Sequence, residues 1–176
     1  MAAQSEIVHS SSTMTHALLG EFDHEMQNTR RTLERVPEDK LTWKPHDKSY
    51  SMGALATHLA TINHWVEAIF SSDSFDVSTA PKNSELKSRQ ELLSAFDQNA
   101  ASARETIAKA NDAQLVKSWA LRAGDKEIFK MPRIAVLRGF ILNHAIHHRG
   151  QMTVYLRLNN VPVPSIYGPS ADEGIF

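Results

Sequence analysis

The stretch Asn143-His144-Ala145-Ile146-His147-His148-Arg149-Gly150-Gln151 lies inside a longer run, residues 132–158, that has the periodicity of a helix. Ile134, Leu137, Ile141, His144, His148, Met152 and Tyr155 recur at steps of three and four, so they share one stripe. Pro132 suits the first turn, where the N–H that proline lacks would have no helical partner. Asn159, Asn160 and Pro162 close the run. Two imidazoles on an otherwise apolar stripe call for an explanation. A polar group left unpaired in a core costs about 1–3 kcal/mol.

Three further segments share the period. Residues 13–36 place Leu18, Phe22, Met26, Thr29, Leu33 and Val36 on one face, and Pro37 ends the segment. A second helix is expected from Ser51, whose hydroxyl suits an N-cap, with Leu55, Leu59, Ile62, Val66 and Ile69 as its stripe. It ends in Ser71-Ser72-Asp73-Ser74, and a polar loop follows through Pro81 and Asn83. The third, residues 84–110, carries Leu86, Leu93, Phe96, Ala100, Ala103 and Ile107, and Asn111 and Asp112 interrupt it. Leu41 and Trp43 are placed to pin the connection 37–50 to the helices.

Residues 118–133 differ. Trp119, Leu121, Ile128 and Phe129 flank Ala123-Gly124-Asp125-Lys126, the pattern of a small hairpin or an irregular loop. Four long amphipathic segments predict an all-α fold, a four-helix bundle, with that hairpin or loop between its third and fourth helices. The expected division is a disordered leader at 1–12, the bundle at 13–160 and an extended tail at 161–176.

Composition narrows the chemistry. There are no cysteines, so disulfides, thiolate ligands and a cysteine nucleophile are excluded. Nineteen Lys and Arg against 20 Asp and Glu leave a net charge of −1, which gives nucleic-acid binding no support. No apolar run approaches the about 18–20 residues of a membrane span, and the N-terminus lacks the pattern of a signal peptide. A cytoplasmic protein is expected.

With thiolates absent, a transition-metal site must draw on His, Asp or Glu, and the chain has nine histidines. His144 and His148, four residues apart on one helix, present both rings on one face. His58 lies on the apolar stripe of the second helix, three residues after Leu55 and four before Ile62. A lone histidine on such a stripe is usually a hydrogen-bonded core residue. Three inward rings from two helices are better explained as a facial metal site. Neutral imidazoles suit zinc, nickel, copper or iron, and three protein ligands leave a position for water or substrate. His147 competes with His148, but it lines up with Phe140, Gln151 and Val154 instead. His64 and His24 fall off their stripes, His16 and His46 read as exposed, and His9 lies in the leader. Asp23 and Glu25 flank the first helix's stripe, where the preferred reading is a solvated carboxylate over a base near the site. Trp43, Trp65, Trp119 and Tyr155 read as core or pocket walls.

The run from Asn143 to Gln151 resembles the H-x-x-x-H-R-G-Q signature of DinB-like proteins. Leu55-Ala56-Thr57-His58 resembles that family's first-ligand helix, and the connection from Val36 through Trp43 to His46 its first loop. The resemblance extends over roughly residues 15–160. It implies a four-helix bundle with a divalent metal at one end of the core, held by His58, His144 and His148. Nickel or zinc leads, with manganese or iron as further candidates. It also implies a homodimer, and a link to branches that use low-molecular-weight thiols as transferases and isomerases. The function expected is metal activation of such a thiol or of water, against a small electrophile, in S-transfer or hydrolysis. The alternative is a non-catalytic metal-binding or ligand-binding stress-response dimer. Around the ligands, Arg149 is expected to turn about 100° from the stripe and pair with an acid on a neighbouring helix or at a dimer contact. Gly150 is expected to allow close helix approach. Gln151 is placed to bond a ligand ring or the loop after Trp43.

Overall fold

The computed structural model describes residues 13–80 and 84–174. The expected leader, 1–12, lies outside the described residues. The fold is mainly helical with a small three-stranded sheet.

Helix α1, Thr13–Leu33, carries the first stripe, and Leu18, Phe22, Met26, Thr29, Leu33 and the following Val36 are all buried. Helix α2, Met52–Thr61, starts where the sequence places it: the Ser51 side chain accepts from the Ala54 N–H. A 3₁₀ turn, Ile62–His64, then leads into α3, Trp65–Ser71. Helix α4, Arg89–Lys109, begins five residues later than the periodicity suggests. Ser88 caps it by accepting from Glu91, so residues 84–88 are lead-in rather than helix. Its core face uses Leu92, with Leu93 only half-buried. A short helix α5, Asp112–Leu115, follows, held by a reciprocal capping box between Asn111 and Gln114.

The hairpin forms. Strands β2, Ser118–Ala123, and β3, Lys126–Pro132, pair antiparallel around the two-residue turn Gly124-Asp125, in which Gly124 adopts φ +60°. A third strand lies in the segment read as polar loop: β1, Ser74–Asp76, pairs parallel to β2. Three residues are too few to show a period, but Phe75 anchors them edge-on against Trp65 at 4.9 Å between ring centroids.

The last long helical segment runs without a break but is not uniform. Helix α6, Arg133–Val136, passes into a π-helical segment, Leu137–Asn143, and then into α7, His144–Leu158. Each π turn widens the winding, so the buried positions Leu137, Ile141, Ala145 and Arg149 follow steps of four. The 3.6-residue stripe drawn through His144 and His148 is therefore about one residue out of phase with the core. Both histidines sit half-buried on its shoulder, and Arg149 takes the central position.

Helices α1 and α2 each pack on both α4 and α7, and the main hydrophobic core lies among these four. The segment 161–174 has no helix or strand and folds back over α1 and α7. Arg31 bonds the Ser165 carbonyl at 2.8 Å and Glu173 at 2.7 Å, Arg35 pairs with Glu173, and Arg157 pairs with Asp172. No helix among the described residues is long and apolar enough to cross a membrane.

Candidate metal centre

Two elements supply the site. Helix α2 is fixed at its start by the Ser51 cap and by Gly53, whose N–H donates to the Leu41 carbonyl at 2.8 Å. A Cβ at Gly53 would stand 3.0 Å from that same oxygen, so the connecting loop can lie this close only over glycine. Two turns on, His58 faces α7. Helix α7 offers His144 and His148 one turn apart.

The structure brings all three together. His144 Nε2 lies 3.2 Å from His58 Nε2 and 2.9 Å from His148 Nε2, and the three ring centroids are 4.7–4.9 Å apart. Among the described residues they form one cluster with metal-ligating geometry, with no carboxylate joining it.

The neighbours of the two α7 rings decide where their protons sit. His148 Nδ1 donates to Gln151 Oε1 at 2.7 Å, and His144 Nδ1 is 3.3 Å from the Phe140 carbonyl, which can only accept. With both protons on Nδ1, the two Nε2 atoms are bare lone pairs 2.9 Å apart. Two lone pairs make no hydrogen bond, and a cation between them converts their repulsion into ligation. The spacing also fits. Two nitrogens bound about 2.0–2.1 Å from one ion stand roughly 2.9–3.4 Å apart for octahedral to tetrahedral angles. The residues present therefore suit a divalent metal ion.

Burial tunes the rings in the same sense. The His58 imidazole is pushed down to about 4 by burial, with smaller contributions from His148 and His144. Burial also lowers His144 and His148, against opposing bonds to Phe140 and Gln151. All three are neutral near pH 7, the form that ligates.

Among the described residues the other histidines stay apart from the cluster, and His9 lies outside them. His147 is exposed, its ring edge-on to His148 at 5.0 Å. His64 Nδ1 lies 2.6 Å from the Thr61 carbonyl, His24 meets Asn28 at 3.1 Å, and His46 Nδ1 accepts from the Lys48 N–H at 3.1 Å. Gly150 has open space where its Cβ would be, so it is not a packing glycine.

Two acids of α1 part ways. Asp23 is exposed and pairs with Arg104 at 2.8 Å. Glu25 is buried, contrary to its reading as a solvated carboxylate, because Arg149 needs it. Arg149 Nη2 bonds Glu25 Oε2 at 2.7 Å, and Nη1 reaches the Glu25 carbonyl at 3.0 Å and Thr29 Oγ1 at 3.2 Å. Tyr167 of the folded-back tail completes the group. Its hydroxyl donates to Glu25 Oε2 at 2.7 Å and contacts Arg149. Burial, then the bond to Glu25, raises the Tyr167 phenol above its ordinary range. The expected pairing of Arg149 with an acid on a neighbouring helix is met by Glu25 of α1, but periodicity placed neither residue in the core, because the π-helical segment moves Arg149 inward, and it gave no sign of Tyr167.

A cleft of about 290 Å³ opens directly on the cluster, lined by Lys48, Ser49, Tyr50, His148, Gln151 and Tyr155. The Tyr50 ring centroid is 6.4 Å from those of both His58 and His148. On the opposite flank Phe140 lies 5.9 Å from His144 and is itself packed edge-on to Trp65 at 5.9 Å.

Together these features define a mainly helical protein with a three-histidine centre at the rim of its core. The chain belongs to the DinB family, whose sequence model matches residues 10–174. It is similar in fold to a DinB-like protein from Bacillus cereus ATCC 10987, with a TM-score of 0.70 at 20% identity over 86% of this chain and 97% of that one. It is likewise similar to the DinB-like protein YjoA of Bacillus subtilis, with a TM-score of 0.67 at 17% identity over 91% and 99%. A 44-residue stretch is 48% identical to the B. subtilis (strain 168) protein YrdA, and it spans 25% of this chain and about a quarter (26%) of that relative.

Proposed function

We propose that the protein binds one divalent metal ion, nickel or zinc foremost, through His58, His144 and His148, in a four-helix-bundle frame. We propose further that the ion activates an external low-molecular-weight thiol or water toward a small electrophile. The observation that carries this reading is the convergence of three Nε2 atoms, two of which, on His144 and His148, have no proton to share, beside a cleft. With three protein ligands the ion keeps a position for an exogenous group. There it would supply a Lewis acid that lowers the pKa of a bound thiol or water. The chain's own part is to hold the rings neutral, to orient His148 through Gln151, and to admit the partner molecule past Tyr50. A chain without cysteine must take its thiol from outside. The metal analysis that tests this compares purified wild type with His144→Ala. About one equivalent of metal in the first and a large loss in the second is expected, and equal content would overturn the ligand set. A thiol-conjugation and ester-hydrolysis screen of the nickel-, zinc- and manganese-loaded protein tests the reaction. No turnover under any pairing would leave a metal-binding protein without this chemistry.

A further inference from the structure

We propose that the cleft beside His148 selects a small substrate bearing a carboxylate, with Lys48 as the counter-charge. The inference rests on the metal reading above and assigns the substrate class of the same site. Of the six residues that line the cleft, Lys48 is the one with a fixed charge, and no acid is among them. Among the described residues no carboxylate lies within ion-pair distance of the Lys48 ammonium, although Asp47 is its chain neighbour. The backbone that carries Lys48 is held by two bonds: its N–H donates to His46 Nδ1, and Ser49 N–H donates to the His46 carbonyl at 2.9 Å. The far end of the loop is tied to α7, where the Tyr155 hydroxyl donates to the Tyr50 carbonyl at 3.2 Å.

The cleft therefore carries on one side a cation without a carboxylate in ion-pair distance, on a loop whose backbone is tied down, and on the other the His148 ring. A carboxylate is attracted to the exposed ammonium from a distance, and on contact makes a charge-assisted bond with it. The exposed Tyr50 ring and the Tyr155 edge offer apolar surface to the rest of the molecule. The volume admits a compact molecule, with one end on Lys48 and the other toward the three Nε2 atoms.

The probe is benzoate, with benzamide as its uncharged isostere, titrated into cobalt(II)-loaded protein at fixed ionic strength and followed by the visible d–d bands. A saturable spectral change with benzoate and a much weaker one with benzamide is expected. Lys48→Gln should weaken benzoate about five- to tenfold, as loss of one charge-assisted contact implies, and leave cobalt affinity unchanged. Lys44→Gln, in the same loop outside the cleft, should match wild type. Equal binding of benzoate and benzamide, or equal benzoate affinity in wild type and Lys48→Gln, overturns the substrate class and leaves the metal reading intact. Failure to take up cobalt removes the metal reading and this inference with it.

Discussion

Glu25→Gln removes a charge from the centre of the molecule and hardly changes its shape. The side chains of Glu25 and Arg149 keep 8% and 2% of their surface exposed, so neither charge has water to fall back on. The guanidinium keeps the Glu25 carbonyl, Thr29 and an amide oxygen as acceptors, but loses its one counter-ion within ion-pair distance among the described residues. Removing one partner of a buried pair costs about 3–5 kcal/mol, because the remaining charge is stranded. A domain of this length loses about 2–4 °C in Tm per kcal/mol, so the expected fall is roughly 6–20 °C. Calorimetry and urea unfolding of the metal-free protein, where the ion cannot mask the loss, are the measurements.

The double variant Glu25→Leu/Arg149→Met separates charge stranding from lost packing. If stranding dominates, the double variant recovers much of the stability lost by Glu25→Gln, because apolar replacement of a whole buried pair is often nearly neutral. A loss under about 1 kcal/mol in Glu25→Gln would refute the reasoning. So would a double variant whose loss equals the sum of the two single ones.

Gln151→Leu removes the acceptor that fixes the His148 tautomer. Metal affinity should fall about 10- to 100-fold, with the fold intact by circular dichroism, read by competition with a chromogenic chelator. For the metal-free protein, stability should decline as pH falls from 6.5 toward 4. Unfolded imidazoles take protons near 6.5, whereas the folded His58 resists until about 4, so the unfolded state binds more protons across that window. His58→Asn should flatten this slope in Tm against pH, and an unchanged slope would count against the assignment. Ser51→Ala should cost about 1 kcal/mol in urea unfolding through loss of the α2 cap, with metal content near wild type.

What the sequence made legible follows from physics that acts locally. Long amphipathic runs announced the long helices, the Ser51 cap announced the start of α2, and Gly124-Asp125 announced the turn of the hairpin. The i, i+4 spacing of His144 and His148, with His58 in phase on a second helix, identified the residues that the structure gathers. Strand β1 was hidden because a three-residue strand is created by its partner, β2, and by Phe75 finding Trp65. An acid on a neighbouring helix was expected for Arg149, but Glu25 as that acid, the burial of the pair and Tyr167 beside it were hidden, because these residues meet across 124 and 142 positions of chain, and because period counting assumes a uniform helix. Seven residues of π-helix broke that assumption.

The same irregularity explains how one helix serves the core and the site together. Had the winding stayed at 3.6 residues per turn, His144 and His148 would fall on the stripe begun by Ile134 and Leu137, deep among apolar side chains and closed to any incoming molecule. The π-helical turns carry the core positions to Ala145 and Arg149, and the two rings come to the edge of the cleft. Moving Arg149 inward then requires a buried acid. Glu25 answers from α1, and Tyr167 seals the pair from the tail. The buried ion pair is thus the structural consequence of a three-histidine cluster placed at the rim. It also locks α7 against α1 one residue away from His148, so the ring positions are held by the core rather than by a loop.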